Sequence, residues 1–466
     1  MKRYPSFDVI RGAAIMGVLC FHVLNATYDK NAAISAALNA PLQNIPLILL
    51  AIFLIYLGSF DKLFILLSAL VNTITIDKQW QQRIDSNSNE ETQSKAFKSI
   101  LLNQLTRGGL IVVFGYISEN LLNGLVLNVI IQTPDAVHVA FSQLWVSNVI
   151  VLIGWGVIVS AVSYLTLLRY HQSLKRMRGI LLLCALASLI LTPIIISLLK
   201  LIPGFWPSPD SNWWTRDFGT NLLFFLLAYI AAGPQPIFPY ICVAFIGVVF
   251  ALDVKQSPVE KQAITQDFCI GIACFLGGVC LNLLHRAFPA FDVVGLDNFL
   301  MASGGAIVLL LLIFYMVEVR GKGPKFAAKT VYFRRFGLLT LTLWCLQWVM
   351  VLPIIALDPL FGGRALEGKL NGGELLLVLL VIMIMWSVVL RLWEKVNFKG
   401  SFEWLTVKIL SRRRKSAGER LELASSLYNI ESPLTEVQFY YRKRVVALLW
   451  VMFIGFALTY AALIAF

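Results

Sequence analysis

Residues 8–27 read DVIRGAAIMGVLCFHVLNAT and place an arginine and a histidine inside an otherwise apolar run. About 20 apolar residues are enough to cross the hydrocarbon core of a bilayer as an α-helix. Ionisable side chains are costly at that depth and usually face a water-filled cavity or the interior of the protein. We therefore predict that this stretch forms the first membrane helix and that Arg11 and His22 carry function.

Arg11 and His22 are eleven positions apart, which brings them to nearly the same face of a helix. Helix geometry gives a rise of roughly 16 Å between them. The helix thus offers a cation near one membrane surface and a proton-exchanging imidazole deeper in. Two structural alternatives stay open: Arg11 could be an interfacial anchor, and His22 could be a buried histidine bonded to a backbone carbonyl.

The composition is that of an integral membrane protein. Of the 466 residues, 58% are hydrophobic and 14% are charged, and the mean hydropathy is +0.76. Soluble domains carry about 25% charged residues. The formal charge of +13 does not indicate nucleic-acid binding, because the basic residues cluster in loops beside apolar segments, as membrane topology requires. We expect membrane lipids, and no nucleic acid, among the partners.

The apolar pattern predicts an all-α, polytopic membrane bundle with about eleven transmembrane helices and the N-terminus inside. The predicted spans are 8–27, 61–77, 99–118, 141–166, 179–199, 236–252, 264–284, 299–319, 336–356, 373–393 and 446–466. Two shorter apolar pieces, 45–57 and 218–230, are interpreted as re-entrant or interfacial helices. With that choice the basic loops face the cytoplasm: 78–98, 169–178, 253–261, 320–335 and 394–444.

The sequence predicts three regions along the chain. We predict a bundle over 1–405, a basic cytoplasmic loop over 406–445 and an additional C-terminal transmembrane helix over 446–466. The sequence contains no Walker loop, no His-Glu-x-x-His and no Cys-x-x-Cys. It therefore gives no indication of a metal cofactor.

The pattern formed by Asp8, Arg11, Gly12 and His22 resembles the first helix of the transmembrane acyltransferase superfamily. That superfamily includes the acyltransferase-3 O-acetylases, the heparan-α-glucosaminide N-acetyltransferases and the YeiB-like proteins. Further stretches resemble superfamily motifs in the same order along the chain: 62–69, 141–144, 236–251, 341–347 and 399–405.

The resemblance implies an acyltransferase of the cell membrane that uses acyl-CoA, with acetyl-CoA as the expected donor. The acceptor would be a hydroxyl or amine of a glycan or of a lipid-linked molecule. A neutral imidazole can accept the proton that such an acceptor loses, so His22 is the candidate general base. It could instead carry the acyl group as a nucleophile. Arg11 could bind donor phosphate or the thioester carbonyl, and Asp8 could orient Arg11.

Other polar residues in or near apolar segments are secondary candidates. For the donor these are Arg107, Lys62 and Gln143; for the acceptor they are His138, Asn25 and Gln347. Each also has a structural interpretation, because arginines need partners inside membranes and glutamines hydrogen-bond between packed helices.

Two other functional classes remain open on the sequence. The first is a transporter or flippase of a lipid-linked glycan, in which Arg11 and His22 would line a translocation path. The second is a non-catalytic membrane scaffold or sensor that retains the superfamily fold. A homodimer is also left open.

Overall fold

The computed structural model describes residues 4–28, 56, 61–84, 90–118, 147–170, 172–203, 205, 226–232, 235–255, 259–287, 295–411, 423–428 and 440–465. About 86% of these residues are helical, and none of them lies in a β-strand. Within the same residues, nine helices are long and apolar enough to cross a membrane. The predicted all-α membrane bundle is confirmed at this level.

The helices are numbered here in chain order. They are α1 (Pro5–Thr27), α2 (Asp61–Gln81), α3 (Glu90–Phe114), α4 (Val149–Arg169), α5 (Leu174–Lys200), α6 (Ile237–Lys255), α7 (Lys261–Ala287), α8 (Leu296–Phe314), α9 (Gly323–Lys329), α10 (Val331–Leu338), α11 (Thr340–Cys345), α12 (Val351–Leu357), α13 (Gly372–Lys395), α14 (Phe402–Ser411) and α15 (Lys443–Ala465). A π-helical turn, Tyr315–Val319, continues α8.

Nine of the predicted spans correspond to the nine apolar helices, and the other two differ. The span predicted at 61–77 is the helix α2, which is too polar to be counted among the nine. Its charged residues are tolerated because α2 is largely buried among other helices, where they find partners. The span predicted at 336–356 is broken into α10, α11, a 3₁₀ turn and α12.

The helix α1 lies in the interior of the bundle, and its closest neighbour is α10. A Cβ atom added to Gly12 would lie 1.8 Å from the carbonyl oxygen of Phe333, and one added to Gly337 would lie 1.9 Å from the carbonyl oxygen of Asp8. These distances are far shorter than any van der Waals contact, so the two backbones touch. Small residues permit such approach between membrane helices, where close packing replaces the hydrophobic effect as the driving force.

The end of the bundle at which α1 begins is named the proximal end. Polar contacts between helices stabilise it. The backbone N–H and the hydroxyl of Ser6 donate to Glu318 Oε1 at 3.1 and 2.9 Å. Asp8 Oδ2 lies 3.9 Å from Arg334 Nη2, and the Arg334 side chain is fully buried. At the opposite, distal end, the N–H of Leu370 donates to the Thr27 carbonyl at 3.0 Å.

Three further ion pairs join the proximal ends of α2, α5, α6 and α7. Asp77 of α2 pairs with Lys255 of α6 and accepts a 2.7 Å hydrogen bond from Tyr164. Arg178 of α5 bridges Asp253 of α6 and Asp267 of α7. The helices α2, α5, α6 and α7 are therefore joined at this end of the bundle.

Replacing Gly12 with alanine should lower the free energy of unfolding by about 1–3 kcal/mol. The new methyl group would collide with a backbone carbonyl that cannot rotate away. The measurement is thermal unfolding of the purified protein in detergent. Gly109→Ala is the matched control, since a Cβ at that helical glycine meets nothing within 4 Å. A Gly12→Ala variant as stable as Gly109→Ala would contradict the backbone contact.

Candidate functional site

The helix α1 places its two ionisable candidates near opposite ends. Arg11 lies six residues after Pro5, roughly 9 Å from the start of the helix, and His22 lies five residues before Thr27, roughly 7.5 Å from its end. Arg11 is half-buried, whereas His22 is exposed. The sequence places the imidazole deeper in the membrane than the guanidinium; in the structure it lies close to the distal end.

A second arginine approaches Arg11 from α3. The positive charge of Arg11 acts on the guanidinium of Arg107, so the two groups lie in one region of the bundle. Arg107 Nη1 lies 3.5 Å from Asn72 Oδ1, at the long end of hydrogen-bond distances. Arg107 has no carboxylate within ion-pair distance among the residues that the structure describes.

The amide of Asn72 is held in one orientation by α4. Its Nδ2 donates to the carbonyl of Val157 and to the hydroxyl of Ser160, each at 3.2 Å. The carbonyl oxygen of the amide is thereby directed at Arg107. Guanidinium groups pair with phosphate or carboxylate through paired N–H donors, which makes this region the candidate site for an anion. Sequence reasoning predicted Arg11 and Arg107 separately and missed Asn72.

At the distal end, His22 and Asn25 form a short exposed polar face. They are three residues apart on α1, and both side chains are exposed. The imidazole contacts the ring of Phe21 at 6.2 Å between centroids. It makes no hydrogen bond to the part of the protein that the structure describes.

Buried apolar residues separate Arg11 from His22. Ile15 and Val18, which lie on the same face of α1 between them, are both buried by neighbouring helices. The face shared by the two ionisable residues is thus not a continuous accessible channel. The proximal anion site and the distal imidazole are two separate polar regions on one helix.

Lys62 and Gln347 lie in other surroundings. Lys62 pairs with Asp61 at 2.6 Å and lies over the ring of Tyr240 at 5.4 Å from its centroid. It is ten residues from Asn72 along α2, roughly 15 Å away, so it does not join the two arginines. Gln347 is buried in the 3₁₀ turn that follows α11. The candidates His138 and Gln143 lie outside the described residues.

Glu403, which lies in the stretch 399–405, has a structural role. Its carboxylate accepts hydrogen bonds from the N–H groups of Leu341 at 2.7 Å and Thr342 at 3.2 Å, and from the Thr342 hydroxyl. It therefore caps the start of α11. Removal from water raises the pKa of Glu403, although these hydrogen bonds act in the opposite direction. Two stretches with superfamily-like motifs, 341–347 and 399–405, thus contact each other.

No protein-family model, curated protein or solved structure matches this chain. Membership of the transmembrane acyltransferase superfamily therefore stays a prediction from the sequence motifs.

Replacing Glu403 with alanine should lower the free energy of unfolding by about 1–3 kcal/mol, because two backbone N–H groups at a helix start lose their acceptor. Glu403→Gln retains one acceptor oxygen and should cost less. Thermal unfolding in detergent measures both.

Glu367→Ala provides the control for Glu403. That carboxylate is exposed, and its partner in the described part of the chain is the exposed Lys369, so its loss should leave the unfolding temperature unchanged. If Glu403→Ala unfolds at the same temperature as Glu367→Ala, the carboxylate does not support α11.

Proposed function

We propose that this membrane protein is an acyltransferase of the cell membrane. It would move an acetyl group from acetyl-CoA to a hydroxyl or amine of a glycan or lipid-linked acceptor. The observation that carries the proposal is that Arg11 and Arg107 lie in one region of the bundle, while the helix of Arg11 also presents an exposed His22.

The two arginines suit the phosphate-rich end of an acyl-CoA. Arg107 lacks a carboxylate partner in the described part of the chain, and an uncompensated guanidinium between membrane helices is costly. A bound phosphate would compensate that charge through charge-assisted hydrogen bonds. With the predicted N-in orientation, the proximal end faces the cytoplasm, where acyl-CoA is made.

His22 suits the acceptor side of the same reaction. A neutral imidazole there can accept the proton of the acceptor O–H or N–H as that atom attacks the thioester carbonyl. The carbon–sulfur bond then breaks, and the departing CoA sulfur takes up the proton. Asn25, one turn away, could hydrogen-bond the acceptor. Transfer through an acyl-histidine would use the same residue as nucleophile, and both routes predict loss of activity without the imidazole.

The buried residues between the two polar regions fit a reaction whose substrates arrive from opposite sides of the membrane. Ile15 and Val18 keep water from connecting Arg11 with His22. The long pantetheine arm of CoA separates its phosphates from its thioester, so with the phosphates at the arginines the thioester would reach His22 once the helices packed on Ile15 and Val18 move apart. His138, Gln347, Lys62 and Gln143 remain secondary candidates for substrate contact.

A transporter of an anionic, lipid-linked molecule is the second candidate function. The same two buried residues, Ile15 and Val18, would then be the closed part of a translocation path between Arg11 and His22. Such a protein would bind and move an anion without cleaving a thioester. An assay of acetyl-CoA cleavage separates the two functions.

Purified protein, supplied with membrane extract as a source of acceptors, should release free CoA from labelled acetyl-CoA. His22→Ala should lower the rate by about 10²–10⁴-fold, the usual contribution of a general acid–base group. Arg107→Ala should instead weaken donor binding by about ten- to a hundredfold, because one charged hydrogen-bonding partner is lost. CoA release and labelled product are measured at several donor concentrations.

His285→Ala and Arg176→Ala are matched controls on other helices and should behave like the wild-type protein. Donor that binds in an Arg107-dependent way but is never consumed would favour the transporter. Consumption that survives His22→Ala would remove that residue from the chemistry.

A further inference from the structure

A separate cavity of about 480 Å³ lies at the proximal end of the bundle, between the end of α13 and the 3₁₀ turn Ala424–Leu427. Three of its lining side chains are basic and one is acidic: Arg335, Arg391, Lys395 and Glu394. Hydroxyl groups of Ser425 and Tyr428 complete the polar lining. The cavity shares none of these residues with the arginine pair on α1 and α3.

The single carboxylate of the cavity is already engaged in its wall. Glu394 Oε2 accepts from Arg335 Nε at 2.6 Å, and its other oxygen accepts from the Tyr428 hydroxyl. Arg391 and Lys395 are exposed and lie one helical turn apart. Neither makes an ion pair or side-chain hydrogen bond to any described residue. Among the residues that the structure describes, these two positive charges have no carboxylate partner, since Glu394 is engaged by Arg335 and Tyr428.

The opposite wall is fixed by hydrogen bonds. The buried guanidinium of Arg334 donates to the carbonyls of Leu427 at 2.6 Å and Ser426 at 3.0 Å. The N–H of Ala424 donates to Asn397 Oδ1 at 2.8 Å. Asn397 itself has a left-handed backbone with φ of 57°, which asparagine tolerates better than most residues. These contacts fix the position of the 3₁₀ turn relative to α13, which forms the other wall of the cavity.

The position of the cavity along α13 places it at the level of lipid headgroups. Exposed apolar side chains follow α13 from Leu376 to Leu392 and mark its lipid-facing side. Sixteen residues correspond to roughly 24 Å of helix, close to the roughly 30 Å of a bilayer core. Arg391 and Lys395 stand where this apolar stripe ends, and basic residues at that level attract anionic lipids.

We propose that this cavity binds the phosphate of an anionic phospholipid headgroup, with Arg391 and Lys395 as its cationic ligands. Ser425 and Tyr428 line the same cavity, and the Tyr428 oxygen, which donates its proton to Glu394, can still accept a hydrogen bond from the headgroup. Basic residues in the last turn of a helix also interact favourably with its dipole, but that role needs no lipid and gives no preference for one headgroup. The proposal is independent of the acyltransferase function.

The test measures lipid binding to the full-length protein by native mass spectrometry, with phosphatidylglycerol and phosphatidylcholine titrated separately. Wild-type protein should prefer phosphatidylglycerol. The double variant Arg391→Gln/Lys395→Gln should bind it about 30-fold more weakly, from the usual contribution of two basic residues near an anionic lipid surface. Its affinity for phosphatidylcholine should not change. Arg391→Lys retains the charge and should retain most of the preference.

The matched control is Lys325→Gln/Lys329→Gln, an exposed pair of lysines one turn apart on α9 that lies outside the cavity. It should keep wild-type lipid affinity, and all variants should unfold at the wild-type temperature. Equal affinity of wild type for both lipids, or an equal loss in the control, would overturn the proposal. If inorganic phosphate or CoA displaces the lipid and shows the same dependence on Arg391 and Lys395, the cavity takes a soluble phosphate compound instead.

Discussion

The structure depends on the backbone contact between Gly12 on α1 and Gly337 on α10. Inside a membrane the hydrophobic effect does not drive two helices together, so their association depends on close packing and polar contacts. The missing side chains let the backbones touch. This contact sets the depth and rotation of α1, and it thereby brings Asp8 to Arg334 and Ser6 to Glu318. It also fixes the direction in which Arg11 and His22 face.

The charges inside the bundle fall into two groups. Most are compensated by a partner on another helix, as with Arg178 between two aspartates and Lys255 with Asp77. Removing one member of such a pair leaves a buried charge without compensation, so these pairs also specify which helices meet. Arg107 differs, because its contact in the described part of the chain is the amide of Asn72. Our proposals for an anionic ligand rest on the positive charges that lack a carboxylate partner among the described residues, at Arg107 inside the bundle and at the exposed Arg391 and Lys395.

The broken segment between α10 and α12 explains why the stretch 336–356 is not one continuous helix. A hydropathy profile detects the apolar residues of this segment, but it does not detect the breaks in the helix at Leu339 and Leu346. A helix can stop inside a membrane protein only if its free N–H groups find acceptors. Glu403, about 60 residues further along the chain, supplies them for Leu341 and Thr342. No local pattern could reveal an acceptor that distant.

The sequence by itself determined the class of the protein and the helices that follow from apolar length, since spanning a bilayer is a local property of about 20 consecutive residues. It also singled out Arg11 and His22, because ionisable residues within such a run are unusual, and it singled out Gly12 through the motif that Gly12 forms with Asp8, Arg11 and His22. Tertiary structure alone decided that Gly12 serves a helix contact, that Arg107 and Asn72 join Arg11, and that Ile15 and Val18 divide the face shared with His22. Helical periodicity assigns a residue to a face, but only the neighbouring helices determine what that face meets.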